Sequence, residues 1–176
     1  IAHLREKFAN VPIVGLEPAV KPACRMTRTR IVGVIATERS LKSEKFLATL
    51  AKYGDGVEVI KAVGKGFVEA VEANAENCAS TEQVVRAVVE PIIDRGADVL
   101  VLGCTHYPFL KDVIAKVVGE RNVEIIDSGE AVEKRVESLL DEYNLRAEVG
   151  HKAEYEFISF ADGDYEERLR RKAFSE

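Results

Sequence analysis

The chain has 176 residues, 47% of them apolar and 31% charged, with a formal net charge of −5 and three cysteines. That length buries a core without covalent staples, and an odd number of cysteines with no paired spacing suits a reducing cytoplasm better than a secreted, cross-linked fold. Acidic and basic residues alternate along the expected helices, which marks a solvated surface and excludes a nucleic-acid footprint, and no apolar run approaches membrane-spanning length.

The chain opens at Ile1 in mid-pattern, and the expectation is that an N-terminal portion is missing; no secretory signal is visible. Ile1, Leu4 and Phe8 fall on one helical face. Residues 12–17 (PIVGLE) read as a short strand, and Glu17-Pro18 starts a helix running to about Arg28. Residues 30–37 (RIVGVIAT) form a buried strand. Ser43 leads a helix through Phe46, Leu47 and Leu50 that Gly54 closes. Residues 57–63 (VEVIKAV) alternate like a strand, and Phe67, Val68, Val71 and Glu72 make a short helical stretch. Ser80-Thr81-Glu82-Gln83 has the form of a capping box, and the helix it opens runs to Arg95, where Gly96 ends it. Val99, Leu100, Val101 and Leu102 are consecutive branched residues, the pattern of a strand buried on both faces. Pro108 then reads as the first position of a helix reaching about Val118. A strand at 123–126, a long helix from Glu130 to about Tyr143, a last strand at 155–160 and a last helix at 165–174 complete the order. Strands alternating with helices of this length predict an α/β fold, a parallel sheet with helices on both faces.

In such a sheet ligands bind at the carboxyl ends of the strands. Those ends expose Thr37, Ser40, Cys104, Thr105, His106, Asp127 and Ser128, the candidate site. Cys24 lies in a helical pattern near Val20 and reads as a small core residue, and Cys78 lies in a polar loop and reads as incidental. Cys104 differs: it follows the most buried strand, stands beside a hydroxyl and an imidazole, and precedes a helix, the surroundings that favour a thiolate. Spacing alone leaves it open between a catalytic thiol and a strand-end core residue. His106, one residue further on, could converge on the same pocket or simply bond the backbone. No H-x-x-x-H or C-x-x-C accompanies them, so no metal is implied. No glycine-rich nucleotide motif follows a strand, and Gly64-Lys65-Gly66 reads as a helix-entry turn. Thr37 and Ser40 read equally as helix caps.

Residues 102–108 (LGCTHYP) resemble the second cysteine motif of the glutamate racemases, in the aspartate/glutamate racemase superfamily. Residues 11–23 (VPIVGLEPAVKPA) are similar to the family's V-P-V-x-G-x-x-E-P-A-x-x-A segment, and residues 31–37 (IVGVIAT), with Ser40 and Ser43 after them, to its I-G-V-I-A-T segment. Residues 67–72 (FVEAVE) resemble F-V-P-L-V-E, with Glu69-Ala70 in place of Pro-Leu, and residues 125–132 (IIDSGEAV) resemble the segment after the next strand. The resemblance implies racemisation of glutamate by two cysteines on opposite faces of the α-carbon, with no pyridoxal phosphate or other cofactor. It implies that Cys104 is the cysteine facing L-glutamate, that His106 polarises or protonates it, that Thr105 hydrogen-bonds the substrate, and that Thr37 and Ser40 line the substrate side. Glu72 matches the family glutamate near the site; its plain alternative is a solvated helix residue.

The family's other cysteine, in a C-N-T motif, and its upstream D-S-G-x-G-G are absent from this chain, and Asp127-Ser128-Gly129 has the flanks of the late segment. The resemblance therefore implies a glutamate racemase lacking its N-terminal portion and inactive alone. On the family's two-domain template, residues 17–127 make one whole α/β domain, and 1–16 with 128–176 are pieces of a second, similar one. The expected partner is the small-molecule substrate, glutamate, with no nucleic acid and no membrane; a homodimer is compatible. The expected setting is a cytoplasm that needs D-glutamate for peptidoglycan. The alternatives are another diacid racemase or a decarboxylase of the superfamily, and a non-catalytic binding domain in which Cys104 is structural.

Overall fold

Strands with branched residues at every position have no face to give to water, so they belong in the middle of a covered sheet. The computed structural model, which describes residues 1–158, 160 and 164–174, places them there. β1 (Ile31–Ala36), β2 (Glu58–Val63), β3 (Val99–Leu102) and β4 (Glu124–Ile126) form one parallel sheet in the order β2-β1-β3-β4. Ile35 pairs with Leu102, Ala36 with Val63, and Val101 with Ile126, so the carboxyl ends of the strands come out on one edge.

Alternate residues feed two cores. Val32, Val34 and Ala36 of β1, with Val99 and Val101 of β3, pack against Val20, Ala23 and Cys24 of α2 (Val20–Met26) and Phe46 of α4 (Glu44–Tyr53). Ile35, Leu100 and Leu102 face the other way, onto α5 (Phe67–Glu72), α6 (Ala79–Asp94) and α7 (Lys111–Val118) through Phe67, Val71, Val85, Val89, Ile92 and Ile114. Each such fully buried side chain contributes about 1.5–3 kcal/mol. The two central strands are thereby buried almost throughout, and the loops at their carboxyl ends are held to them.

Local signals set most helix limits. The Ser43 hydroxyl accepts the Phe46 N–H at the start of α4, and Gly54 follows its end. Gly96, at a φ of 94°, ends α6 in a conformation that suits glycine. A short helix, α3 (Glu38–Leu41), stands where no element was expected, capped by the Thr37 hydroxyl. The remaining helices of the described residues are α1 (Ala2–Lys7), α8 (Gly129–Glu142) and α9 (Tyr165–Phe174), and a 3₁₀ turn spans Tyr107–Leu110.

Three expectations are corrected. Residues 12–17 form no strand: a strand needs a neighbour for its N–H and C=O groups, and none of the described strands runs beside this segment. It is held instead by the Arg5 guanidinium, which donates to the Ile13 carbonyl at 2.8 and 3.2 Å, and by the Ser128 hydroxyl, which donates to the Glu17 carbonyl. The expected strand at 155–160 is absent from residues 155–158 and 160, and Ser159 lies outside the described residues. The capping box at Ser80 is displaced, because α6 begins at Ala79 with Cys78 at its N-cap. A backbone turn, Cys78 N–H to Ala75 carbonyl at 3.0 Å, and the Thr81 hydroxyl donating to the same carbonyl at 2.6 Å set that start earlier than Ser80 could.

The contacts divide the chain into two units, Ile1–Leu139 and Leu140–Glu176. The sheet lies in the first. In the second, the rings of Tyr155 and Phe157 meet that of Phe174 edge-on, with centroids 4.7 and 5.8 Å away.

Candidate active site at the carboxyl edge of the sheet

Thr37 and Cys104 each lie two residues beyond the Ile35–Leu102 pair, so parallel register alone brings them to the same edge of neighbouring strands. The Gly103 N–H donates to the Ile35 carbonyl at 2.8 Å and carries the pairing one residue past β3. The chain then turns. The Tyr107 N–H donates to the Cys104 carbonyl and the Phe109 N–H to the His106 carbonyl, both at 3.2 Å, and Pro108 sits in the first turn of the 3₁₀ segment, where its missing N–H costs nothing. A full α-helix starts only at Lys111. The four-residue 3₁₀ turn offers Cys104 less helix-end field than the expected long helix would have.

Cys104 is a free, half-buried thiol packed against the core cluster that contains Phe67 and Tyr107. Thr105 is exposed and His106 half-buried. His106 Nε2 lies 3.5 Å from a carboxylate oxygen of Glu72, an ion pair whenever the imidazole is protonated. Glu72 ends α5, so the structure turns a residue that could have been mere solvated surface toward the imidazole of the Cys104 turn. Across the edge, the Thr37 and Ser40 hydroxyls are 2.8 Å apart, and the Ser40 N–H donates to Thr37 Oγ1 at 3.3 Å. The capping role allowed by the sequence is thus filled, with the hydroxyls on the edge that carries Cys104.

Two of the seven strand-end candidates are used otherwise. Lys111 Nζ lies 2.7 Å from Asp127, and the Gly129 N–H donates to the same carboxylate at 2.6 Å. Burial pushes the Asp127 carboxyl up, but Lys111 and the Gly129 N–H outweigh it and hold the group below its ordinary range. Ser128 is buried with its hydroxyl on the Glu17 carbonyl. Both pin the start of α8 and the 12–17 segment.

Tyr107 was not among the expected site residues. Its side chain is 1% exposed, and its hydroxyl donates to the Gly64 carbonyl at 3.3 Å. Burial first, and then the charges of Cys104 and Glu69, push its phenol up to about 12 against the opposing Gly64 hydrogen bond. The signal that could have found it was an aromatic residue with a polar tip inside an otherwise apolar 3₁₀ turn, which when buried needs a partner.

Cys24 is buried in the core on the other face of the sheet, and burial raises its thiol's pKa. Cys78 is exposed at the start of α6 and lines a small pocket with Asp112 and Lys116 that includes none of Thr37, Glu72, Cys104 and His106. Exposure alone would make Cys78 the fastest thiol to alkylate. The expected result is that Cys104 reacts with iodoacetamide faster than Cys78, with Cys24 last, as read by peptide mapping of a time course. Faster labelling of Cys78 would leave Cys104 an ordinary strand-end residue. Among the described residues, no group of three or more His, Cys, Asp or Glu side chains could hold a metal ion, and no helix is long and apolar enough to cross a membrane.

Known proteins resemble this chain in sequence and in fold. The sequence model of the Asp/Glu/Hydantoin racemase family matches residues 1–135. A glutamate racemase of Ectopseudomonas mendocina is 45% identical over 146 residues, which is 83% of this chain and 55% of that protein. One of Pseudomonas entomophila is 42% identical over 164 residues, 93% of this chain and 61% of that protein. The chain thus spans a little over half the length of these curated relatives. Among solved structures, Escherichia coli glutamate racemase, in complex with L-glutamate and the activator UDP-MurNAc-Ala, superposes with a TM-score of 0.79 at 28% identity, covering 97% of this chain and 65% of the other.

Proposed function

This chain belongs to the Asp/Glu/Hydantoin racemase family, and on that premise we propose that it carries one half of a cofactor-independent glutamate racemase site, with Cys104 as the base and acid on one face of the substrate. The observation that carries the reading is the Cys104 turn at the sheet edge, with the His106–Glu72 pair at 3.5 Å on one side and the Thr37 and Ser40 hydroxyls on the other. Cys104, as thiolate, removes the α-proton of L-glutamate and becomes a thiol. The carbanion is reprotonated from the opposite face by a second acid, and each turnover leaves the two groups with exchanged protons. His106 receives or returns the proton at Cys104 while Glu72 orients the imidazole and balances its charge. Exposed Thr105 offers its hydroxyl to the substrate carboxylate or amine, and Thr37 and Ser40 line the same side. Residues 17–127 make the lobe that presents these groups, and 1–16 with 128–176 contribute to a second lobe. The product, D-glutamate, serves peptidoglycan synthesis in the cytoplasm.

The test is circular dichroism of L- or D-glutamate with the 176-residue chain and with the same chain completed to the length of its relatives. The completed protein should bring both enantiomers to a racemic mixture, with aspartate turned over far more slowly. The chain alone should stay at background, because a positioned general acid on the second face is worth about 10²–10⁴-fold. Equal turnover by the two proteins would refute the two-face reading, and preference for aspartate would refute the substrate.

A further inference from the structure

The Gly64 carbonyl is a junction. It accepts the Phe67 N–H at 3.2 Å, which opens α5, and the Tyr107 hydroxyl at 3.3 Å, which comes from the turn carrying Cys104. The Gly64 N–H donates to the Ala36 carbonyl at 3.3 Å, at the end of β1. Three strand ends thus meet on one residue. The Tyr107 ring also stands edge-on to Phe67, with centroids 5.1 Å apart and planes at 69°. Position 64 must be glycine for this approach: a Cβ there would lie 2.6 Å from the Tyr107 hydroxyl oxygen and 2.7 Å from its ring carbon.

We propose that Tyr107 is a positioning residue for Cys104, its buried hydroxyl locking the Cys104 turn to Gly64 at the entry of α5 and so holding the thiol in register with the Glu72–His106 pair. The inference rests on the reading of Cys104 as the reacting thiol. Glu72 and Cys104 stand on different elements, and beside the His106–Glu72 pair the Tyr107 hydroxyl is a second tie, from the Cys104 turn to the residue that leads into α5. Its phenol stays protonated throughout the physiological range, so the donor is always present. Without the hydroxyl, the apolar packing on Phe67 remains but the Gly64 carbonyl loses its second donor, and the turn is free to shift against α5.

The experiment is a double-mutant cycle read by alkylation of Cys104 in the 176-residue chain, mapped by mass spectrometry from pH 6 to 10. Glu72→Gln should change the rate of Cys104 alkylation. In a Tyr107→Phe background that change should shrink, by about the fivefold in rate that one hydrogen bond represents, while Cys78 alkylation is unchanged in both. Gly64→Ala, which displaces the ring without touching the site, should reproduce the loss of coupling. If that variant does not fold, Tyr107→Phe decides alone. A Glu72→Gln effect that is the same with and without the Tyr107 hydroxyl, or no effect in either background, overturns the proposal. Glutamate plays no part in this readout, so a failed racemase assay and a failed lock are distinguishable.

Discussion

On the proposed mechanism, Cys104→Ser in this chain extended to the length of its relatives should lower racemisation of either glutamate enantiomer by about 10³-fold or more, within the range that a positioned acid–base group of this kind supplies. Serine matches cysteine closely in shape, and Cys104 is only half-buried, so the fold should survive with a stability change of about 1 kcal/mol or less. The chemistry should not survive, because a hydroxyl is far less readily ionised than a thiol. Both directions should fail together. On the proposed mechanism, whichever enantiomer enters, one face loses the proton and the other gains it, and Cys104 serves once in each direction. Removing one of two groups that act as a unit costs nearly as much as removing both. The measurement is initial velocity by circular dichroism from each enantiomer, beside a thermal melt. A serine variant that keeps more than a tenth of the turnover, with an unchanged melt, would show Cys104 to be a wall of the pocket and not a reacting group.

The second large effect lies at the opposite edge of the sheet. Asp98 should be the most costly surface-adjacent carboxylate to remove, with Asp98→Ala destabilising the fold by about 2–4 kcal/mol. Asp98 immediately precedes β3 and is 6% exposed. Its carboxylate accepts the Thr27 hydroxyl at 2.5 Å, the Arg28 N–H at 2.7 Å, and the Thr29 hydroxyl and N–H at 3.1 and 3.2 Å. It thus ties the α2–β1 loop to the start of the central strand, and alanine would take the carboxylate acceptor from two peptide N–H groups. Burial pushes the Asp98 carboxyl up, but the donors from Thr27, Arg28 and Thr29 outweigh it and hold it below its ordinary range. The sign follows from linkage. A carboxylate with a depressed folded-state value contributes its full stability above the unfolded value of about 3.9 and loses it as pH falls through the lower folded value. The gap between wild type and Asp98→Asn in urea midpoint should therefore be constant from pH 5 to 8 and narrow below about pH 4. A gap that widens on acidification, or an alanine variant within about 0.5 kcal/mol of wild type, would contradict this role.

The sequence by itself determined what depends on neighbours in the chain. Runs such as Val99 to Leu102, alternating with helical stretches, read as strands covered on both sides, which made a parallel α/β sheet legible before any contact was known. Ser43 and Gly96 mark helix ends through their own hydroxyl and their own φ, and the Cys-Thr-His-Tyr-Pro run at a strand end marked the candidate site. Tertiary structure decided whatever needs a partner far along the chain. Residues 12–17 have strand-like composition, yet pairing is non-local, and without a neighbouring strand the segment is held by Arg5 and Ser128 instead. Glu72 is a half-exposed glutamate by any local measure and reaches the candidate site only because α5 ends beside His106, 34 positions later. Tyr107 and Gly64 are separated by 43 positions, and only the parallel register of β1, β2 and β3 brings their strand ends to one junction. Periodicity and capping act over a few residues and are written in them. The distances between side chains on different strands are set by how a whole sheet packs, and no short stretch of sequence contains them.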